Sequence, residues 1–402
     1  GRNENVQSTG LGWAVGTVSQ VYGDNNGRET IEGCLRAASA PMVVGNGYSS
    51  LNLACAGATT ASVLSSTWWK PGIDFANDNK GHVGQARMLE DFARTHTVKA
   101  IDLSIGGNDM GFSDIIAACV AAYEVPIVGG HCSNDPKVTK LIDADAKETL
   151  VTKISGALGN IVTAMTNAGY AIGSYRIVYQ APPNIIPLPA DAKYPGSGYT
   201  RQNKCGLPIS DRDLTWAIKN VQPTLKSAIV EASAGWRSRV PITVLDTDTV
   251  FAGHLLCQKG TSQGLDGIGT PDWAKTGKTT EWVRRISVSE AKFSPRRAVY
   301  RSEPMHPTYW GQRALAACTL TAVNSPIDTQ TVTCVTPKSA PVPVFTTCKA
   351  LNGAYPHGVG RVHAPRYVTR LGKRVPFTRS YRLFVANRGL DTNRDGVVCP
   401  HP

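Results

Sequence analysis

The sequence predicts an α/β fold built on a parallel sheet, and two observations carry that expectation. Short apolar runs alternate with longer segments whose apolar residues recur at helical spacing. A glycine-rich turn closes the clearest of those runs, at the carboxyl end where such sheets collect their chemistry.

The elements follow in order. Val83 to His96 places Met88, Leu89 and Phe92 on one helical face. Lys99-Ala-Ile-Asp-Leu-Ser-Ile105 then reads as a buried strand ending at Gly106-Gly107. Val138, Leu141, Ile142, Ile154, Leu158, Ile161, Val162 and Met165 mark one long helix or two. Arg176-Ile-Val-Tyr179 is a second strand, stopped by Pro182-Pro183. Asp211 to Ala234 is helical with a bend near Pro223, which lacks the backbone N–H a continuous helix needs. Ile242-Thr-Val-Leu245 is a third strand.

The 402 residues leave room for more than one domain. No apolar run approaches the roughly 20 residues of a membrane span. The net charge of +12 favours acidic partners, but it is unevenly placed. From Phe345 to Pro402, ten basic residues stand against Asp391 and Asp395 alone, a net charge of +8. Residues 1–344 therefore carry only +4. Just before the change, Val335 to Val344 contains Pro337, Pro341 and Pro343, the composition of a stiff linker. The expected organisation is a body over 1–334, a linker over 335–344 and a small basic module over 345–402.

Ten cysteines argue for an oxidising compartment. There is no Cys-x-x-Cys pair, so bridges are favoured over a metal site. Neighbours in order pair sensibly: Cys34–Cys55, Cys119–Cys132, Cys205–Cys257, Cys318–Cys334 and Cys348–Cys399. The last would staple the basic module. A loop of about 50 residues closed this way gains about 4 kcal/mol in the chain-entropy model.

Two strings are decoys. Gly260-Thr-Ser-Gln-Gly264 has the letters of a nucleophile elbow but lacks a strand before and a helix after it. Thr276-Gly-Lys-Thr-Thr280 lacks the first glycine of a phosphate loop, where Asp272 stands.

Three segments carry chemistry together: Ala54-Cys55-Ala56-Gly57-Ala58-Thr59-Thr60, Ser104-Ile-Gly-Gly-Asn108-Asp109 and Glu303-Pro-Met-His306-Pro307. A glycine lets the backbone approach a substrate and offer its N–H. An Asn amide at a strand end can donate to a developing oxyanion. A His with a carboxylate three residues earlier suits a general base held in one tautomer.

In this order the segments resemble the SGNH (GDSL) hydrolases, esterases and lipases, in their secreted actinobacterial form. The resemblance runs from about Gly1 to Cys318, with an unaligned loop-rich stretch from His254 to Arg301. It implies a three-layer, flavodoxin-like α/β domain acting on an ester or lipid through an acyl-enzyme, with no cofactor for catalysis. It makes the Gly57 backbone and the Asn108 side chain the oxyanion hole, His306 the general base and Glu303 its orienting acid. The Cys34–Cys55 bridge is also usual in that group. The family's Gly-Asp-Ser block is absent, since Gly23-Asp24 is followed by Asn25. Either the nucleophilic serine and the first strand of the sheet lie upstream of Gly1, the reading the three intact segments favour, or the lineage has lost its nucleophile. This chain alone would then be inactive.

The tail holds Asp391-Thr-Asn393-Arg-Asp395-Gly396-Val397, the front half of an EF-hand calcium loop. Asp391, Asn393 and Asp395 would bind through side chains and Val397 through its carbonyl. The whole tail resembles the Excalibur domain, an extracellular calcium-binding module. Pro400 stands where that pattern closes with Glu, and Asn393 where it has Asp, which predicts weak calcium binding or none. Basic residues interleaved with Tyr367, Phe377, Tyr381 and Phe384 suit an anionic cell-wall surface. Nucleic acid is disfavoured, because no nucleic-acid-binding fold is evident. The competing functional reading is a non-catalytic, wall-associated protein that binds calcium or anions on the same scaffold.

Overall fold

The computed structural model describes residues 29–36, 48, 50–64, 69–124, 130–263, 279–286, 304–335, 344–355, 357–361, 368–370, 373–375, 377–379 and 381–400. Residues 1–28, which contain Gly23 to Asn25, lie outside them, as do Glu303 and all of the linker but its two end residues.

Four strands form one parallel sheet in the order of the chain: β1 (Ala100–Leu103), β2 (Arg176–Gln180), β3 (Ile242–Thr249) and β4 (Thr331–Val335). Leu103 pairs with Tyr179, Gln180 with Leu245, and Leu245 with Val332. β2 is buried along its whole length, as a strand covered on both faces must be. Its even residues face α6 (Tyr309–Asn324). The Arg176 guanidinium donates to the Ala322 carbonyl at 2.6 Å, and Gln180 Nε2 donates to Thr319 Oγ1 at 2.9 Å. The opposite face is closed by α3 (Ala144–Asn167) and α5 (Gln222–Trp236), which pack on each other, with α1 (Gln85–Ala93) laid on α3. The result is the expected three-layer α/β arrangement.

The sequence left one helix or two between 138 and 165. The chain makes a short turn over Pro136–Thr139 and then the long α3. Asp143 separates them, because its side chain caps α3 by accepting from the Ala146 N–H at 2.8 Å. The bend expected near Pro223 is a π-helical segment over Ala217–Val221, between α4 (Asp211–Trp216) and α5. A proline in the turn that follows cannot supply the N–H that would keep the ladder regular.

β1 departs from expectation. Its sequence reads as a buried strand, yet Ala100 and Ile101 are half-buried and Asp102 is exposed. Among the described residues it is an edge strand, and its outer side lines a large cavity.

All five disulfides join the pairs that sequence order suggests. No described cysteine is free. No described helix is long and apolar enough to cross a membrane.

The C-terminal residues build a second apolar cluster. It joins Phe345, Leu351 and Tyr355 around α7 (Cys348–Ala354), Val359 of β5 (Val359–Gly360), Leu383 of α8 (Tyr381–Asn387), and Val398 with Cys399. The buried Asn387 side chain links its ends, accepting from the Phe345 N–H at 2.6 Å and donating to the Leu383 carbonyl at 2.9 Å.

Gly106 closes β1 with φ +101, a conformation that L side chains rarely adopt. A Cβ there would sit 3.1 Å from Ile154 Cδ1. Gly106→Ala should therefore cost about 1–3 kcal/mol of unfolding free energy. Urea denaturation measures it, and a loss within the scatter of ordinary surface changes, about 0.5 kcal/mol, would contradict the packing described.

Candidate active site

The three sequence segments reach one place. Gly57, Asn108 and His306 all line a cavity of about 1280 Å³. That exceeds the usual 300–1,000 Å³ or so of a small-molecule site. Among the described residues its lining takes in β1 and, past the ends of the strands, Phe112, Ile116, Ile185 and Leu225.

Gly57 takes φ +77 in a turn where the Ala58 N–H returns to the Cys55 carbonyl at 3.1 Å. The Gly57 N–H meets no protein acceptor among the described residues and lies at the cavity wall. Its loop is held from behind by cations on carbonyls. Arg36 donates to the Ala54 and Leu53 carbonyls, each at 3.0 Å. Lys70 Nζ donates to the Ala56 carbonyl at 2.8 Å. That carbonyl belongs to the same peptide unit as the Gly57 N–H, so the lysine polarises the unit and strengthens its N–H as a donor. The Cys34–Cys55 bridge fixes the same loop.

The Asn108-Asp109 turn is stitched to that loop. Asn108 Nδ2 donates to the Ala58 carbonyl at 2.8 Å, which leaves its second N–H for a ligand. The Asp109 carboxylate accepts from the Thr60 N–H at 2.9 Å and from Thr60 Oγ1 at 2.7 Å. From below, the Tyr179 hydroxyl donates to the Ile105 carbonyl at 3.1 Å. Burial pushes that phenol well above its ordinary pKa, and the nearby Asp109 charge adds to the rise, so it stays a donor.

His306 is half-buried on the turn that leads into α6. Its Nδ1 lies 2.9 Å from the Pro304 carbonyl. A carbonyl can only accept, so this bond requires the proton on Nδ1 and makes Nε2 the basic nitrogen of the ring. Glu303, the expected orienting acid, falls outside the described residues. Before His306, Met305 adopts φ +64. Thr308 then caps α6 through its side chain.

A second trio of serine, histidine and aspartate is not a triad. His131 Nδ1 faces both Ser210 Oγ at 3.1 Å and Asp213 Oδ2 at 3.3 Å. One ring nitrogen cannot serve the nucleophile and the acid at once. Ser210 instead caps α4, accepting from the Asp213 N–H. Ser262 of the elbow-like string pairs with Thr280 in an isolated bridge rather than sitting at a strand-to-helix turn.

In the tail, the Asp391 carboxylate accepts from the Gly396 N–H at 3.2 Å, and Asp395 accepts from the Val397 N–H at 2.8 Å. Gly396 takes φ +85, as a sharp loop turn at that position requires. Asp391 Oδ1 is buried without a hydrogen-bond partner, which suits a cation. Asn393 Nδ2 donates to Asp395 Oδ2 at 2.8 Å, which occupies an oxygen an ion would use.

The sequence reading missed Lys70, Arg36 and the role of Asp109. Side chains that hold backbone carbonyls form no motif, because their partners carry no residue signature.

No known family profile matches the chain, and no curated protein does. Two solved structures are similar in chain trace. One is an extracellular lipase from Streptomyces rimosus, 17% identical, covering 56% of this chain and 69% of that one with a TM-score of 0.32. The other is phospholipase A1 from Streptomyces albidoflavus NA297, 16% identical, covering 58% and 75% with a TM-score of 0.30. The site residues, and not these likenesses, carry the functional reading.

Proposed function

We propose that the chain is the scaffold of a serine-type ester hydrolase working through an acyl-enzyme. One observation carries the reading: a glycine N–H, an Asn amide and a histidine with a fixed tautomer open onto one cavity at the ends of parallel strands. Among the described residues β1 is an edge strand, and the serine would come from a strand beside it. Its hydroxyl attacks the ester carbonyl, His306 Nε2 takes the proton, and the Gly57 N–H and Asn108 Nδ2–H stabilise the oxyanion. Proton return from His306 releases the alcohol. Water, activated by the same imidazole, then frees the acid. Glu303 would orient the imidazole from the Nδ1 side together with the Pro304 carbonyl. The apolar wall of Phe112, Ile116, Ile185 and Leu225 favours an ester with a lipid acyl chain. Five disulfides suit a secreted protein.

The test is to express the chain with the codons that precede Gly1 in its gene and assay p-nitrophenyl esters. Turnover by the extended chain and none by residues 1–402 is expected. An extended chain that carries a serine there and stays inert on short and long esters would overturn the reading.

The orphaned Asp391 oxygen favours a second role, in the tail. Asp391, Asn393 and Asp395, with the Val397 carbonyl, would hold calcium and tie the loop together; the ion would supply structure and no chemistry. The missing acid at Pro400 keeps the affinity in the range of extracellular modules, about 10⁻⁴–10⁻³ M. Calorimetry on the whole chain should show calcium binding there, lost in Asp391→Ala. No heat at millimolar calcium would retire the site. The basic residues of the tail would add attraction to an anionic cell wall, weakened by salt.

A further inference from the structure

We propose that Glu281, paired with Lys193, is a positioning residue for His306: it anchors the short segment whose backbone holds the histidine turn. The proposal rests on the reading of His306 as the base. Met305 puts a non-glycine residue in the left-handed region, which costs about 1–2 kcal/mol and persists only under outside restraint.

The restraint is a splint of residues 282–284. The Met305 N–H donates to the Arg284 carbonyl at 3.0 Å, and the Arg284 N–H donates to the His306 carbonyl at 2.9 Å. The Thr308 N–H donates to the Trp282 carbonyl at 2.7 Å, and Val283 bridges Pro307 in antiparallel register. The splint belongs to no regular strand or helix, so something else must fix it. Trp282 does part of this, fully buried between His254, stacked at 3.7 Å, and Phe251.

The Trp282 N–H also donates to the His254 carbonyl at 2.8 Å and the Ile286 N–H to the Gly206 carbonyl at 2.8 Å, and the Glu281 side chain adds a further anchor. Its residue is 2% exposed. Its carboxylate accepts from Thr261 Oγ1 at 3.3 Å and from Gln263 Nε2, and forms an ion pair with Lys193 Nζ at 3.6 Å. Lys193 is tied in turn, its Nζ donating to the Thr261 carbonyl and its N–H to the Cys257 carbonyl at 2.8 Å. The splint is thus pinned to the loop that the Cys205–Cys257 bridge closes.

Among the described residues, Lys193 is the charged group that meets Glu281. His254, on the neighbouring ring stack, gives its Nδ1 side to the Thr280 carbonyl, and burial lowers its pKa, which keeps it neutral. Burial pushes the Glu281 carboxyl up to about 7 against the pull of Lys193. The folded pKa lies above the unfolded one, so the closed splint holds its proton more tightly than an opened one. Opening therefore becomes easier as pH climbs from the ordinary carboxylate range, and the effect is complete above about 7. In that upper range the slot holds an ion that depends on Lys193, because an unpaired buried charge is the costly species.

Amide hydrogen exchange on the whole chain tests this without turnover. In Lys193→Met, the Arg284 and Thr308 amides should exchange at least about tenfold faster at pH 8, after correction for intrinsic rates, and less so at pH 5.5. The Val178 amide in β2 should be unchanged. The His306 imidazole ¹⁵N resonances should move with the same variant, as its contact with Pro304 loosens. Adding Lys193→Met to Glu281→Gln should give no pH-dependent change. Parent-like exchange at Arg284 and Thr308 at both pH values overturns the proposal. So does acceleration no greater than at Val178, which would mean global loss of stability. An inert extended chain would retire the hydrolase reading and leave these exchange rates untouched, so the two fail separately.

Discussion

His306→Ala in the chain extended through its upstream segment should lose ester hydrolysis by at least about 10³-fold in kcat. The His306 imidazole combines a proton on Nδ1, held by the Pro304 carbonyl, with a basic Nε2. Alanine removes both and leaves the Gly57 N–H and the Asn108 amide in place, so KM should change little. The Pro304 carbonyl loses a neutral hydrogen bond, worth only about 1 kcal/mol, so the fold should survive. Parallel circular dichroism and p-nitrophenyl ester kinetics check this. Wild-type turnover in the variant would remove His306 from the mechanism.

Trp282→Ala should destabilise the body by about 3–5 kcal/mol, the usual cost of emptying a large aromatic site in a core. Trp282 is fully buried, T-shaped against Phe251 with ring centres 5.9 Å apart and stacked on His254. Gly311 adds a constraint, because a Cβ there would sit 2.5 Å from the Trp282 carbonyl. The start of α6 is therefore seated directly on the splint, and the cavity left by alanine cannot close by moving the helix inward. Chemical denaturation gives the number, and Trp282→Phe should recover part of it. A loss under about 1 kcal/mol would show that the site collapses freely.

Much of the fold is legible where local pattern and tertiary role agree. α1 was readable because Leu89 faces the core and Arg87 and Asp91 face water. β2 and β3 were readable as apolar runs because both faces are covered. α2 (Phe112–Glu124) and α6 were not read, for a physical reason. α2 is rich in alanine, and α6 is buried on most of its surface, so neither shows a polar face to contrast with an apolar one. β4 has five residues, lies at the sheet's edge among the described residues and buries only Cys334, too little pattern to read.

The site divides in the same way. Gly57, Asn108 and His306 stood out because a left-handed turn, a strand end and a pre-helix turn each favour few residue types. Their supports left no mark. Lys70, Arg36 and the 282–284 splint act on carbonyls and amides that every residue owns. Trp282 also lies in the stretch where the sequence comparison lost its register. Glu281 was unreadable because nothing local separates a buried carboxylate from a surface one; Lys193 is 88 positions away in the chain.

The open side of β1 has one more consequence. Among the described residues no strand pairs with its outer side, which is where a parallel sheet takes up a further extended chain. Lysine, proline and bulges are the usual guards on such an edge, and Ala100 to Leu103 contain none of them. A strand that pairs there would complete the hydrogen-bond ladder on that side of the sheet.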